Sequence, residues 1–97
     1  MIARVLRVDV EPGRIDDVLG RYRDDVRPIH ARANGLLRHY VLADRELGRI
    51  TIVGVWTDRE SVEAIAAELE PARAGLWAAF GRAPELEIYD VLDELVP

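Results

Sequence analysis

The chain has 97 residues, of which 49% are hydrophobic and 32% charged, with a formal net charge of −5 at pH 7. This length fits one small domain over residues 1–97, and the acidic balance argues against nucleic acid as a partner, since there is no basic surface to contact phosphates. The absence of Cys excludes disulfides and thiolate chemistry. No stretch has the pattern of a signal peptide or a membrane span, so we expect a cytoplasmic protein without membrane contacts.

The first half of the chain predicts a strand, a helix and a second strand. Met1–Val10 alternates as a strand does, and Glu11-Pro12-Gly13 ends it. A helix is predicted from about Arg14, because apolar residues recur at spacings of three and four: Ile15, Val18, Leu19, Tyr22, Val26 and Ile29. Pro28 is expected to kink or end this helix, and Asn34-Gly35 closes the segment. The second strand then spans Leu36–Leu42.

The second half begins with GRITIVGVW, residues 48–56, whose β-branched run predicts a buried strand paired with its predecessor as an antiparallel hairpin. Thr57 to Glu60 fits a capping box, with Thr57 as the N-cap of the next helix. That helix is predicted over Asp58–Glu70 and is expected to break near Pro71, with Ala72–Phe80 as a separate helical piece. The last strand runs from Glu85 to about Leu92.

The order β-α-β-β-α-β predicts a ferredoxin-like α+β fold, in which a four-stranded antiparallel sheet carries both helices on one face. The other face needs a cover, because Val5, Val53, Val55 and Val91, or their neighbours of opposite parity, would otherwise contact water. Large exposed apolar surfaces usually mark a partner interface. We therefore expect a homodimer in which two sheets pack face to face.

These elements resemble a known family. The plan of elements, the Asn34-Gly35-Leu36 entry into the second strand and the strand ending at Trp56-Thr57-Asp58 resemble the dimeric α/β-barrel superfamily, in particular its antibiotic biosynthesis monooxygenase branch. The resemblance covers nearly the whole chain. It implies a dimer formed through the sheets and a small-molecule cavity between sheet and helices. Some members of this branch oxidise phenolic polyketides with molecular oxygen and no cofactor, and others degrade haem.

Among the family's site residues, the resemblance carries over Trp56. The quinone-forming members place an Asn four residues before this Trp, where this chain has Ile52. The haem-degrading members use an Asn on the first strand and a His on the helix after the Trp. Neither residue is present at these places here.

Trp56 and His39 are the predicted catalytic residues. An indole can stack on a flat ligand and donate one hydrogen bond, although Trp56 can equally fill the core. His39 lies within a predicted strand and is the candidate proton carrier, because its ordinary pKa is about 6.5; a purely structural, hydrogen-bonded role is the alternative. His30 follows Pro28 and is expected to be exposed and without a functional role. Two His without a carboxylate cluster predict no metal site, and we expect no cofactor.

Tyr22, Trp56, Trp77 and Arg4 are the predicted substrate-binding residues. Tyr22 lies on the inward stripe of the first helix, and Trp77 with Phe80 can form a wall over the same cleft; ordinary core packing is the alternative for all three. Arg4 and Arg7 lie on opposite faces of the first strand. Whichever points inward requires an anionic partner, either an acidic side chain such as Glu87 or an acidic ligand.

The sequence thus predicts a cofactor-independent monooxygenase-like protein acting on a small aromatic or polyketide-type molecule between sheet and helices. The alternative is a non-catalytic ligand-binding or regulatory dimer of the same fold. A cavity with room for an aromatic ring, floored by Trp56, favours an enzyme or binding protein. A cleft filled by Trp77, Phe80 and Tyr22 favours a structural role.

Overall fold

The computed structural model describes all 97 residues, Met1–Pro97. The strands are β1 Ile2–Asp9, β2 Leu36–Asp44, β3 Arg49–Trp56 and β4 Glu85–Asp90, and the helices are α1 Ile15–Arg21, α2 Arg27–Ala31 and α3 Arg59–Phe80. A 3-10 turn over Pro12–Arg14 precedes α1, and a π-helical turn over Tyr22–Val26 joins α1 to α2. None of the helices combines the length and hydrophobicity needed to span a bilayer.

The four strands form one antiparallel sheet in the order β2-β3-β1-β4. With the helices on one face, this is the predicted ferredoxin-like α+β fold. Alternate residues of the two central strands point toward the helices and form the core with them. The buried members on β1 and β3 are Ile2, Leu6, Val8, Ile50, Ile52 and Trp56.

The other face of the sheet carries no helix. Val5 lies opposite Val53, and Val53 lies opposite Tyr40, so an apolar row crosses three strands. Tyr40 and Tyr89 are 52% and 46% exposed. The alternation places Val5, Val53 and Val55 on this open face, which decides the parity that the sequence left undecided. Only the helix-facing side of β3 is fully buried, because nothing in the single chain covers its other side.

Pro28 does not end the helical segment, which continues to Ala31. The backbone N–H of Arg27 donates to the Tyr22 carbonyl, five residues back, and this wide turn shifts the hydrogen-bond register before the proline. Pro28 then occupies the second position of α2, where a proline without an N–H is tolerated.

The predicted break near Pro71 is wrong, because α3 is one continuous helix of 22 residues with Pro71 inside it. Its buried side chains lie on both sides of the proline: Val62, Ile65, Leu69, Leu76 and Phe80. Burying this stripe outweighs the roughly 3 kcal/mol that a proline costs inside a helix. The Arg73 guanidinium also donates to the Ala66 carbonyl at 3.5 Å, one turn before the proline.

The predicted cap of α3 is also wrong, because Asp58 rather than Thr57 is the N-cap. The Asp58 carboxylate accepts the backbone N–H of Ser61 at 2.8 Å. This hydrogen bond lowers the pKa of Asp58. Thr57 is held elsewhere, since its backbone N–H donates to the Gly35 carbonyl at 2.8 Å. Gly35 adopts a positive φ of 81°, as expected for the residue that ends the preceding helical segment.

Candidate functional site

A cleft lies between the helix-covered face of the sheet and the helices. Its thirteen lining residues include all five predicted site residues: Arg4, Tyr22, His39, Trp56 and Trp77. The cleft holds about 530 Å³ of empty space when its open mouth is counted, of which about 40 Å³ can be occupied by the centres of water molecules. This space has room for a few water molecules. A flat ring does not fit it without a shift of the lining side chains.

Trp56 forms the floor of the cleft. It is the last residue of β3, is 1% exposed, and is one of the three largest fully buried side chains. No buried polar side-chain atom lacks a partner, and the indole Nε1 makes no hydrogen bond within the chain. The indole N–H is therefore open to the cleft, where it can donate to a ligand. Trp56 thus fills the core and presents a donor at the same time.

Tyr22 and His39 form a hydrogen-bonded pair across the cleft, from the π-helical turn to β2. The Tyr22 hydroxyl lies 2.7 Å from His39 Nδ1, and the two rings are nearly parallel. Burial raises the pKa of Tyr22, so its hydroxyl keeps its proton and can donate it to Nδ1. Burial, His30 and Arg4 lower the pKa of His39 to about 4. His39 is therefore neutral at pH 7, and accepting the Tyr22 proton at Nδ1 requires the tautomer with its hydrogen on Nε2.

His30 lines the cleft as well, and the prediction that it is exposed is wrong: it is 6% exposed. Its Nδ1 donates to the Val26 carbonyl at 3.3 Å, and its ring centroid lies 4.2 Å from that of His39. Its Nε2 is therefore the nitrogen with a free lone pair. The sequence indicates this position through the spacing of four residues between Tyr22, Val26 and His30. This spacing places His30 on the inward side of the helix if the helix continues past Pro28.

Arg4 points into the cleft from β1, while Arg7 lies on the open face and pairs with Glu87 at 2.6 Å. Arg73 reaches the same cleft from α3, where it pairs with Glu70 at 3.0 Å and lies 5.6 Å from the centroid of the Trp77 ring. Burial, and then the charge of Arg73, lower the pKa of Arg4. No acidic residue lines the cleft, so its charge is positive.

Gly54 also lines the cleft and was not predicted from the sequence. It lies opposite both Arg4 and His39 in the sheet. A Cβ atom at this position would lie 2.8 Å from Trp56 Nε1 and 3.3 Å from His39 Cδ2. The missing side chain therefore makes the space in which the indole and imidazole meet. A glycine inside an otherwise β-branched strand was the available signal, since it often marks such a close approach.

Two aromatic side chains near the end of α3 lie in different surroundings. Trp77 lines the cleft, whereas Phe80 is buried in the core and contacts Trp77 with ring centroids 5.7 Å apart. Ile52 lines the cleft four residues before Trp56, so an apolar side chain occupies that position. No group of three or more His or acidic side chains is arranged to hold a metal ion.

The sheet and the helices together define a ferredoxin-like α+β domain with a cleft between its two layers. The chain belongs to the antibiotic biosynthesis monooxygenase family, whose sequence profile matches residues 1–68. The matched part includes Trp56 and the first turns of α3. A comparison with curated proteins found no match.

Solved structures of low sequence identity share the fold. A monooxygenase from the gene ActVA-Orf6 of Streptomyces coelicolor, in complex with nanaomycin D, superposes with a TM-score of 0.84 at 12% identity, over 99% of this chain and 91% of that one. SnoaB, a cofactor-independent oxygenase from Streptomyces nogalater, has a TM-score of 0.71 at 23% identity, over 97% of this chain and 95% of that one. Rv0793 from Mycobacterium tuberculosis has a TM-score of 0.79 at 13% identity, over 98% of both chains.

Proposed function

We propose that this chain is a cofactor-independent oxygenase acting on a small aromatic or polyketide-type phenol bound in the cleft. Membership of the antibiotic biosynthesis monooxygenase family supports this, as does the fold shared with SnoaB and the ActVA-Orf6 protein. The observation that carries the proposal is one cleft with three kinds of polar group aimed into it. They are the Trp56 indole N–H, the Tyr22–His39 pair and the Arg4 guanidinium.

The chemistry requires an electron-rich substrate and molecular oxygen, with no cofactor. A methylene between two aromatic rings loses two hydrogens and gains one oxygen atom to become a carbonyl, and the second oxygen atom leaves as water. The substrate reacts as its anion, whose electrons reduce the oxygen. Arg4 and the Trp56 N–H stabilise this oxyanion by charge and by a hydrogen bond, which lowers the pKa of the substrate.

His39 and His30 have different roles in proton transfer. His39, with a pKa of about 4, binds no second proton at pH 7, so it acts as a neutral imidazole whose Nε2–H donates a hydrogen bond to the substrate oxygen. The Tyr22 hydroxyl fixes this tautomer by donating to Nδ1. His30 presents its free Nε2 and accepts the proton that the substrate releases, before passing it to water at the mouth of the cleft.

A homodimer formed through the open sheet face is part of the proposal. Val5, Val53 and Val55 lie on that face beside the half-exposed Tyr40 and Tyr89. Burying such a patch against a second copy removes apolar surface from water. Light scattering at micromolar concentration is expected to give twice the chain mass of 10.9 kDa. A monomeric mass would contradict the dimer.

Oxygen uptake tests the proposed activity. The purified protein is mixed with dithranol, a dihydroxyanthrone, in an oxygen-electrode cell, and the rate is corrected for spontaneous oxidation. Trp56→Phe keeps an aromatic ring but removes the N–H donor, so we expect a rate lower by about 10- to 100-fold. Arg45→Gln is the control, because it removes a side-chain group that pairs with Asp16 outside the cleft. A corrected rate of zero for the unmodified protein would reject the oxygenase.

The second candidate is a non-catalytic ligand-binding dimer, favoured by Ile52 at the position where the quinone-forming members carry an Asn. Under this hypothesis dithranol binds without being consumed. Both Trp residues of the chain line the cleft, so their emission reports occupancy. Quenching that saturates with no oxygen uptake would select the binding protein over the enzyme.

A further inference from the structure

We infer that the ligand of the cleft is an aromatic carboxylate, whose carboxylate pairs with Arg4 while its ring lies against Trp56. This deepens the proposed function, on which it rests for the location of the substrate, by naming a second group that the substrate must carry. The inference depends on the state of Arg4 in the structure.

Arg4 is partly buried and has no acceptor. Five other arginines form ion pairs: Arg7, Arg21, Arg45, Arg49 and Arg73. Arg4 forms none, although its neighbours on the same face of β1, Ile2 and Leu6, are both buried. Removing a guanidinium from water without giving it a partner is unfavourable. An unpaired charge held at such a place is most simply explained by a partner that arrives with the ligand.

The surroundings of Arg4 favour a permanent anion. The cleft has no acidic lining residue, and the second guanidinium, Arg73, is engaged by Glu70 at 3.0 Å. Arg73 therefore has its own acidic partner, while Arg4 retains its whole fork of donors. A guanidinium fork matches the two oxygens of a carboxylate, whereas the single oxygen of a phenol uses one N–H only. A carboxylate is accordingly the group that satisfies Arg4.

The aromatic part of the ligand follows from the remaining walls. Trp56 and Trp77 line the cleft, and the imidazole rings of His30 and His39 lie 4.2 Å apart at their centroids. Flat π surfaces of this kind favour a flat ring. Gly54 lies directly opposite Arg4 across the sheet and beside the Trp56 indole. The Trp56 indole and the His39 imidazole occupy the space over Gly54, so a ligand that pairs with Arg4 meets these rings beside it.

Isothermal titration calorimetry with two matched probes tests the inference at pH 7.5 and low salt. The probes are 2-naphthoate, an anion, and 2-naphthol, which has the same ring system and is neutral at this pH. We expect the naphthoate to bind at least about 10-fold more tightly. Arg4→Gln is expected to remove this preference by weakening naphthoate alone, and Arg4→Lys to retain part of it. Arg45→Gln, which removes a charge outside the cleft, is the matched control and should leave the preference unchanged.

Three outcomes would overturn the inference: equal affinity for the two probes, an equal loss of both in Arg4→Gln, or no binding of either. Neither probe has a methylene to oxidise, so the titration is independent of turnover. Naphthoate preference without dithranol oxidation would support the carboxylate site and reject the oxygenase. Dithranol oxidation without a naphthoate preference would do the reverse.

Discussion

Replacing Gly54 with Ala is expected to lower the free energy of unfolding by about 2 kcal/mol and to weaken ligand binding in the cleft. The added Cβ would lie 2.8 Å from Trp56 Nε1, a distance at which one of the two groups must move. Trp56 is 1% exposed and packed in the core, so moving its indole costs free energy. His39, 3.3 Å from the same Cβ, must also shift, which disturbs its hydrogen bond with Tyr22.

Gly20→Ala is the matched control, because a Cβ at Gly20 has nothing within 4 Å and the residue lies inside α1. A helix gains about 0.5–1 kcal/mol from this exchange, so the two glycines should respond with opposite signs. Urea unfolding followed by tryptophan emission measures both variants, and calorimetry with a naphthyl probe measures binding. If Gly54→Ala were as stable as the unmodified protein, the close approach of indole and imidazole over this residue would be disproved.

The fold was predictable because its pattern is local. Alternation in the strands and the three-and-four spacing in the first helix were sufficient for the order β-α-β-β-α-β. The side of β3 that faces the helices was not predictable, since Ile50, Ile52, Val53 and Val55 are all apolar. The deciding factor is long-range: the helices cover one side, and the residues opposite them stay open.

The wrong prediction at Pro71 has a physical origin that also applies at Pro28. Pro28 and Pro71 were expected to bend or break helices, because a proline removes a donor and crowds the preceding turn. In each case tertiary packing prevails. A π-helical turn adjusts the register before Pro28, and a buried stripe continues through Pro71. The local rule underestimates a helix whose two ends are held on the same sheet.

The candidate site was predictable where the residue type itself suggests chemistry. Arg4, His39 and Trp56 were singled out by charge, titration and aromatic surface, and all three line one cleft. His30 was missed because its position depends on the helix continuing past Pro28. Gly54 was missed because its contribution is the space it leaves. The residue type alone reveals neither the position of His30 nor the space left by Gly54.

Between pH 7 and pH 5 the free energy of unfolding is expected to fall by about 1–2 kcal/mol because of His39. In the folded chain its pKa is about 4, below its ordinary value of 6.5. The unfolded chain therefore binds more protons in this interval, and acid favours unfolding. Burial is the main cause of this lowered pKa, and His30 and Arg4 add to it by opposing a positive charge on His39, while Tyr22 faces His39 as a neutral hydrogen-bond partner. No carboxylate lines the cleft to compensate.

Urea unfolding at pH 7, 6 and 5 measures this dependence, with His39→Gln as the decisive variant. Glutamine can accept the Tyr22 hydroxyl but does not titrate, so its stability should depend less on pH by about 1–2 kcal/mol. His30→Gln measures the contribution of the second imidazole, because burial also lowers the pKa of His30. Asp9, Asp16 and Asp58 have lowered pKa values and titrate below this interval. Parallel pH profiles for His39→Gln and the unmodified protein would show that His39 is not held neutral, and that the proposed Nε2–H donor has to be abandoned.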